Sequence, residues 1–315
     1  MRRREFVGGS AAISLAAMLA ACKEQKVPPS SISAYVPQAS SGTSRAVTNP
    51  LTPLAHGAMP VAFLVSEGTV MIDLAGPWEV FTDVMVPSRG TSMDDQMPFR
   101  TYTVAESKKP VRFSGGMKVE PDYTFADAPL PKVLVIPAQG SHSKGMLDWI
   151  RKTTKTTDVT MSVCTGAFIL ASTGLLSGKA ATTHHGSYKS FGMQFPDIAM
   201  KKGARYVEAG NLATAGGLSS GIDLALHVVE RYFGRKVATD TAYEMEYQGQ
   251  GWMDPESNAV YLQAAASTEE HPLCIVCSME VDPATAPKSV YKEKTYYFCS
   301  ADHKKQFDAV PEKWL

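Results

Sequence analysis

The chain has 315 residues, which predicts one large domain with a small addition or two medium domains, and its 44% apolar residues are enough to build a core. Basic and acidic side chains balance at 31 each, so charge alone gives no reason to expect a nucleic-acid-binding surface. The five cysteines are unevenly placed, three of them after residue 273, which argues against one disulfide framework and for separate roles.

The first 22 residues have the pattern of an export address. Arg3-Arg4-Glu5-Phe6-Val7 resembles a twin-arginine signal, and the apolar stretch 11–21 is much shorter than the roughly 20 residues of a membrane-spanning helix. The segment ends Leu19-Ala20-Ala21-Cys22, which resembles a lipoprotein box. This resemblance predicts a periplasmic or cell-envelope protein with a lipid anchor on Cys22; the alternative is cleavage near Ala21 with Cys22 incidental. Residues 23–58, rich in Ser, Pro and Thr, predict a flexible linker.

Residues 59–245 alternate short apolar runs with helical patterns, which predicts a mostly parallel sheet with helices on both faces. Such α/β folds bind ligands where the carboxyl ends of the strands meet the following turns. The predicted strands are 61–65, 99–104, 133–136, 159–163 and 212–215, with a hairpin over 111–124. The predicted helices are 146–154, 167–172 and 219–232, with another starting near Pro77.

Cys164 follows the predicted strand 159–163 and immediately precedes a helix. This arrangement lifts its side chain out of the sheet at a tight turn, as in a nucleophile elbow. Amide N–H groups and the helix dipole at that point favour the thiolate, the nucleophilic form. The alternative is a buried and inert cysteine.

Two separated motifs resemble the ThiJ/PfpI superfamily, which belongs to the class I glutamine amidotransferase-like proteins. The first is Ser162-Val-Cys164-Thr-Gly-Ala, followed by residues 173–184, and the second is Asp73-Leu-Ala-Gly-Pro-Trp-Glu-Val-Phe81. Both are most similar to isocyanide hydratases and to the ligand-sensing domains of AraC-type regulators. The resemblance spans roughly residues 61–235 and implies a flavodoxin-like fold and, commonly, a homodimer.

The resemblance implies three catalytic residues. Cys164 would be the nucleophile, Asp73 its acidic partner, and the N–H of Thr165 a donor to developing negative charge. In the hydratase, the sulfur attacks the terminal carbon of a small isocyanide, an acid protonates that carbon, and water releases a formamide. Asp73 is also open to interpretation as a helix N-cap ahead of Gly76-Pro77.

Two features depart from the family pattern. Pro137-Ala138-Gln139-Gly140 replaces the usual Pro-Gly-Gly turn, so two side chains stand where glycines permit close backbone approach to the nucleophile. Thr165 replaces the histidine of the peptidase-like branch, which argues against a peptidase.

Three other titratable residues are weaker candidates for the site. His184 is expected to be structural or to line the pocket, and Glu67 is a less favoured acid. His227 lies on an apolar helical pattern and is expected to be a satisfied core histidine.

After a connector (246–269), residues 270–315 have the spacing of a metal site. Cys274 and Cys277 form Cys-x2-Cys, and after 21 residues Cys299 and His303 form Cys-x3-His. A hairpin is predicted over 289–298, and His303 falls one helical turn beyond Cys299. Three sulfurs and one imidazole suit tetrahedral Zn²⁺, and a metal would stabilise so small a zinc-ribbon-like module. The alternative is a Cys274–Cys277 or Cys277–Cys299 disulfide.

The same block resembles the YHS domain through Cys277-Ser-Met-Glu-Val-Asp-Pro283, Tyr296-Tyr-Phe-Cys-Ser300 and Pro311-Glu-Lys-Trp-Leu315. That family handles heavy metals such as copper or zinc. Cys277 and Cys299 match its defining cysteines, Cys274 is an addition, and Ser278 replaces the usual glycine.

Two functions follow from these features. The first is a cysteine-dependent hydratase acting on a small-molecule electrophile, and the second is a non-catalytic envelope lipoprotein that binds or senses metal. A transcriptional regulator is disfavoured, because no helix-turn-helix pattern follows the α/β domain.

Overall fold

The computed structural model of the protein describes residues 47–140, 142–262 and 267–315. The export signal expected at 1–22, including Cys22, and most of the linker expected at 23–58 therefore lie outside the described residues. Within the described part of the chain, no helix has both the length and the apolar character required to cross a bilayer.

Strands and helices alternate along the α/β part, and the carboxyl-terminal part adds a hairpin and one helix. The strands are β1 Met59–Leu64, β2 Phe99–Ala105, β3 Val111–Arg112, β4 Lys118–Val119, β5 Tyr123–Thr124, β6 Val133–Ile136, β7 Val159–Ser162, β8 Ala180–Ala181, β9 Ala199–Met200, β10 Tyr206–Ala209, β11 Leu212–Ala215, β12 Lys288–Tyr291 and β13 Lys294–Tyr297. The α-helices are α1 Met71–Asp83, α2 Met93–Gln96, α3 Lys144–Thr153, α4 Gly166–Ser172, α5 Tyr188–Gln194, α6 Ser220–Phe233, α7 Arg235–Glu244 and α8 Ala301–Ala309. Short 3-10 helices lie at Pro87–Arg89, Ser114–Gly116, His185–Ser187, Gly251–Met253, Ser257–Leu262 and Pro311–Trp314.

The main sheet has seven strands in the order β10-β11-β7-β6-β1-β2-β5. All neighbouring pairs are parallel except β10 with β11. The carboxyl ends of β6, β7 and β11 therefore meet at one edge, where the turns after these strands lie side by side. The prediction of a mostly parallel α/β sheet is confirmed.

Each face of this sheet carries its own apolar core. One face packs on side chains of α1, α6 and α7, including Phe81 and Leu224. The other packs on α3, α4 and α5 through residues such as Ile150, Leu170 and Phe191. Strands covered on both faces have no solvent-facing side, which explains why their sequences are continuous apolar runs.

Helix α1 begins earlier than its sequence indicates. Pro77 suggested a start near that residue, but the helix starts at Met71 and holds Pro77 in its interior. Val70 occupies the N-cap position and Asp73 lies in the first turn, so the interpretation of Asp73 as an N-cap is wrong. The early start turns Asp73 inward, where it is completely buried.

The segments that flank the α/β part are attached to it by hydrogen bonds. Before β1, the Leu51 N–H donates to the Arg231 carbonyl at 2.7 Å, and the Arg231 guanidinium donates to the Asn49 carbonyl at 2.8 Å. In the expected connector, the Trp252 N–H donates to Asp223 Oδ1 at 2.9 Å. The α/β unit thus includes residues at both ends that the sequence pattern assigned to linkers.

The carboxyl-terminal part, residues 267–315, has a small core of its own. Strands β12 and β13 form the expected hairpin, with positive φ at both turn residues, Lys292 and Glu293. Phe298, Phe307 and Trp314 are buried together with Cys274 and Val276. We call residues 267–315 the carboxyl-terminal module.

Candidate functional site

Cys164 occupies a strained turn between β7 and α4. Its φ is 58°, a left-handed conformation that residues other than glycine seldom adopt. The turn is tight because Gly166 lies against the end of the neighbouring strand β6: a Cβ there would stand 2.1 Å from the Ile136 carbonyl oxygen. The expected elbow is present, and Cys164 is 7% exposed at its tip.

Asp73 is the acidic group beside this cysteine. One carboxylate oxygen, Oδ2, accepts a hydrogen bond from the Ala138 N–H at 3.0 Å. The other, Oδ1, is buried and has no hydrogen-bond partner among the described residues. Burial raises the pKa of Asp73 to about 7, and the Ala138 N–H only partly offsets this. Near neutral pH, Asp73 can therefore either hold or release a proton.

The protonation state of Cys164 differs from the thiolate that the sequence predicts. Burial, and secondly the negative charge of Asp73, raise the pKa of the thiol to about 12. The Thr165 and Leu218 N–H groups and the Thr165 hydroxyl lower it without reversing the shift. The prediction that Cys164 rests as a thiolate is therefore wrong, because desolvation outweighs the amide dipoles. Near neutral pH the Cys164 thiol therefore keeps its proton, and the negative charge of the pair lies on Asp73.

Leu218 is a site residue that the sequence did not reveal. It follows Gly216-Gly217 at the carboxyl end of β11, next to β7, and directs its N–H to the Cys164 sulfur. Its φ of 50° is a second left-handed conformation at the site. A Cβ on Gly217 would lie 2.3 Å from the His184 ring, so the glycine pair marks a close approach. The sequence feature that could have indicated this part of the site is Gly216-Gly217, directly after the predicted strand 212–215.

The altered turn after β6 retains a role in the site. The Ala138 methyl fits into the core at 3% exposure, while its N–H holds Asp73. Gly140 is still required, since a Cβ there would lie 2.8 Å from the Glu67 carbonyl oxygen. Ala138 therefore positions the acid, and the donors toward the sulfur come from Thr165 and Leu218.

The weaker titratable candidates lie outside the reacting pair. His184 caps the 3-10 helix His185–Ser187, its Nδ1 accepting from the Gly186 N–H at 3.1 Å. Glu67 is exposed and accepts from the Arg112 N–H. His227 is buried, as expected for a core histidine, and its Nε2 lies 3.0 Å from Glu208. Its Nδ1, 3.6 Å from Glu230, has no hydrogen-bond partner among the described residues, so the expectation of a satisfied ring holds for one nitrogen only.

A second cluster lies in the carboxyl-terminal module. The ligand atoms of its four residues all lie within 4.8 Å of one another. The Cys277 and Cys299 sulfurs are 3.5 Å apart, and His303 Nδ1 lies 3.1 Å from the Cys299 sulfur and 3.5 Å from that of Cys274. Zn–S bonds of about 2.3 Å would space the sulfurs of a tetrahedral site about 3.8 Å apart. The four described cysteines are free thiols, so the structure has neither alternative disulfide.

Local structure brings these four ligands together. Ser278 has a φ of 59° and donates its N–H to the Cys274 carbonyl at 2.7 Å, which closes the turn around Cys-x2-Cys. Glycine would adopt this conformation without strain. At the other end, the Ser300 side chain caps α8 by accepting from the His303 N–H at 3.2 Å. This cap starts the helix so that His303 turns back toward Cys299.

Together, the fold and the elbow define a class: a parallel α/β protein with a cysteine on a strained strand-to-helix turn and a buried carboxyl group beside it. The DJ-1/PfpI family model matches residues 59–231. The chain therefore belongs to the DJ-1/PfpI family.

Individual relatives agree with this assignment. Isonitrile hydratase from Pseudomonas putida is 31% identical over 195 residues, covering 60% of this chain and 79% of that protein. The HTH-type transcriptional regulator CdhR from Pseudomonas aeruginosa is 24% identical, covering 51% of this chain and 49% of its own length. The chain thus matches about half of that regulator.

Solved structures show the same fold. A ThiJ/PfpI family protein from Pseudomonas syringae superposes with a TM-score of 0.53 at 27% identity, covering 62% of this chain and 77% of that one. DJ-1beta from Drosophila melanogaster gives a TM-score of 0.51 at 17% identity, covering 61% of this chain and all of that one. At this identity, the second likeness concerns the fold alone.

Proposed function

We propose that the protein is a cysteine-dependent hydratase that converts a small isocyanide into an N-substituted formamide. The observation that carries this proposal is the pairing of a buried carboxyl group, whose pKa is about 7, with a thiol on a strained elbow. A group that exchanges its proton near neutral pH is suited to general acid–base catalysis. The likeness to the Pseudomonas putida isonitrile hydratase supports this choice of substrate.

In the first step, the ionised Asp73 takes the thiol proton while the sulfur attacks the terminal carbon of the isocyanide. Oδ1, which has no other partner among the described residues, is the oxygen available for this transfer. Asp73 then gives the proton to the attacked carbon. An S–C bond and a C–H bond have formed, and the product is a thioimidate on Cys164. The Thr165 and Leu218 N–H groups stabilise negative charge on the sulfur as its proton leaves.

In the second step, water adds to the thioimidate carbon: its oxygen bonds to carbon, and a proton reaches the substrate nitrogen. The hydroxyl group of this tetrahedral intermediate then loses its proton as the C–S bond breaks and a carbonyl forms. That proton returns to the sulfur through Asp73. The sum is the addition of one water to the isocyanide, with the thiol and the carboxylate restored.

The test is formamide production by the purified protein from a small alkyl isocyanide, followed by NMR. Formamide should appear catalytically with the wild-type chain and fall to background with Cys164→Ser. Met93→Ser is the matched control, because it also exchanges a sulfur-containing side chain for serine but lies exposed on helix α2, outside the elbow and the carboxyl-terminal module. Equal turnover by wild type and Cys164→Ser would rule out the elbow as the catalytic site.

The second proposed function is metal binding by the carboxyl-terminal module. Three sulfurs and one imidazole nitrogen at tetrahedral spacings are a donor set for Zn²⁺ or for copper. The ligands would be Cys274, Cys277, Cys299 and His303, and the ion would cross-link the turn around Cys-x2-Cys to α8. In a protein that is not a catalyst, this site would make metal binding or sensing the principal function.

Metal content measured by mass spectrometry of the intact purified protein tests this second function. Wild type should carry close to one equivalent, and the double variant Cys277→Ser/Cys299→Ser should carry none. Cys164→Ser, which removes a thiol elsewhere, should keep the metal. A wild-type chain that binds no zinc or copper after reconstitution would refute the assignment.

We also propose that the chain is exported and anchored to the cell envelope through a lipid on Cys22, and that it forms a homodimer. The sequence pattern at 1–22 and the family resemblance support these proposals. Cys22→Ser should move the protein from the membrane fraction to the soluble periplasmic fraction. Light scattering of the protein should give twice the mass of the chain.

A further inference from the structure

The carboxyl-terminal module lies against the α/β part on the side of helix α5. A Cβ on Gly186 would stand 2.4 Å from the Cys277 carbonyl oxygen, so the backbones of the two parts touch there. Lys189 on α5 donates its ammonium to the Trp314 carbonyl, and Met193 packs against the core of the module. These contacts hold the module at a fixed place beside the cysteine elbow.

The contact leaves a pocket of about 650 Å³ between the two parts. On the α/β side, it is lined by residues next to the reacting pair: Thr165 directly follows Cys164, and Gln139 directly follows Ala138, which holds Asp73. On the opposite side, the module contributes Val276 and Val310. A volume of this size suits a bound organic molecule rather than a few waters.

The lining indicates the chemical class of the ligand. Beyond Thr165, the wall continues along α4 with Phe168 and Ile169, and Phe168 is held edge-on against Phe191 with ring centroids 5.0 Å apart. No described residue that lines the pocket is acidic, and Lys313 is its one full cation. Amide, hydroxyl and imidazole side chains nevertheless make up much of the wall, among them Gln139, Ser187, Ser190, Gln194, His303 and Gln306. The surface therefore suits a bulky group that carries hydrogen-bonding atoms beside its apolar part and is neutral or anionic, and it disfavours a cationic one.

We propose that this pocket receives the substituent of the electrophile that Cys164 attacks, and that the carboxyl-terminal module selects substrates by its size. This inference rests on the proposed function, since it assigns the substituent of the same substrate. Substrates whose bulky substituent is neutral or anionic and carries hydrogen-bonding atoms fill the pocket, and Val310 is the module residue that limits their bulk.

The test compares alkylation of Cys164 by a small probe, iodoacetamide, and a bulky one, an N-aryl iodoacetamide. Rates at Cys164 are measured by peptide mass spectrometry above pH 9 on the full chain. Val310 is 41% exposed and tolerates a larger side chain, so Val310→Trp narrows the pocket. In this variant, alkylation of Cys164 by the bulky probe should be at least about tenfold slower than in wild type, and alkylation by the small probe less than about twofold slower, as expected when a pocket loses space. Val290→Trp, 72% exposed on β12 and outside the pocket, is the matched control and should change neither rate.

Gln306 also lines the pocket from the carboxyl-terminal module. If Val310→Trp misfolds, Gln306→Trp should likewise slow alkylation by the bulky probe more than alkylation by the small one. The inference is overturned if both probes slow equally or if neither wall variant changes the bulky rate. Failure of the hydratase proposal looks different: wild type would then make no formamide, while the two probes still respond differently to the wall variants.

Discussion

Replacing Asp73 with asparagine should make the Cys164 thiol more reactive toward alkylation and at the same time reduce catalytic turnover. Asparagine keeps the size of the side chain and removes its charge. Burial is the largest cause of the raised thiol pKa, and the charge of Asp73 is the second. In the variant, burial is the one remaining cause that raises the pKa, and the Thr165 and Leu218 donors still lower it, so the thiol should ionise more easily while the general acid–base group is lost.

The two effects have opposite directions. We expect the pKa of the thiol to fall below about 12, so that the thiolate fraction at a fixed pH below about 11, and with it the alkylation rate, rises. Formamide production should fall by about 10²- to 10⁴-fold, the usual loss when a general acid–base group is removed.

The assay is the rate of iodoacetamide modification at Cys164 from pH 7 to 11, measured beside formamide production. Asp73→Asn should shift the alkylation profile to lower pH and abolish most turnover. Asp83→Asn is the matched control, since Asp83 lies exposed at the end of the same helix α1. A profile for Asp73→Asn that stays in place, or moves to higher pH, would refute the electrostatic coupling of the two groups.

Three further predictions follow from the same structure. The folded pKa of Asp73, about 7, exceeds its ordinary 3.8, so the stability it contributes is complete below 3.8 and lost as the pH rises through 7. Between pH 5 and pH 8, urea unfolding should therefore show wild type losing about 2.5 kcal/mol relative to Asp73→Asn, and a constant difference would contradict the burial of an ionisable carboxyl group. Gly166→Ala forces a methyl group to within 2.1 Å of the Ile136 carbonyl oxygen and should cost about 3 kcal/mol or more in thermal unfolding; an unchanged melting temperature would show that the elbow is looser than described. Removal of metal with a chelator should expose residues 267–315 to limited proteolysis while the α/β part stays protected, whereas equal protection with and without chelator would show that the module does not depend on a metal.

The sequence was sufficient to predict the main elements of the α/β part, because strands that are buried on both faces are continuous apolar runs in the sequence. The runs that became β1, β6, β7 and β11 were located to within two residues. The hairpin of the carboxyl-terminal module was equally visible, since Lys292-Glu293-Lys294 interrupts an alternating pattern.

The start of helix α1 was predicted wrongly from the local sequence. Proline is favoured in the first turn of a helix, so Pro77 suggested a start there. Tertiary packing outweighed this signal: α1 packs against α6, and a Cβ on Gly76 would lie 2.7 Å from an Ile222 side-chain carbon. The glycine at this position serves close helix packing.

The positions of the site residues could be predicted, but their electrostatics could not. The motifs identified Cys164, Asp73 and Thr165, and the structure brings these three together. The sign of the thiol pKa shift depends on how much of the sulfur is desolvated, a property of the whole fold that local sequence does not record. Leu218 was missed for a related reason, since its contribution is a backbone N–H and not a side chain.

The central claim is that Cys164 forms a covalent intermediate with its substrate through the sulfur. The most direct measurement is intact-protein and peptide mass spectrometry after rapid acid quenching of the protein mixed with an aryl isocyanide. We expect a mass increase equal to one isocyanide, located on the peptide that contains Cys164 and absent from Cys164→Ser. Formamide production with no adduct on that peptide at any quench time, or with an adduct on another cysteine instead, would contradict the account.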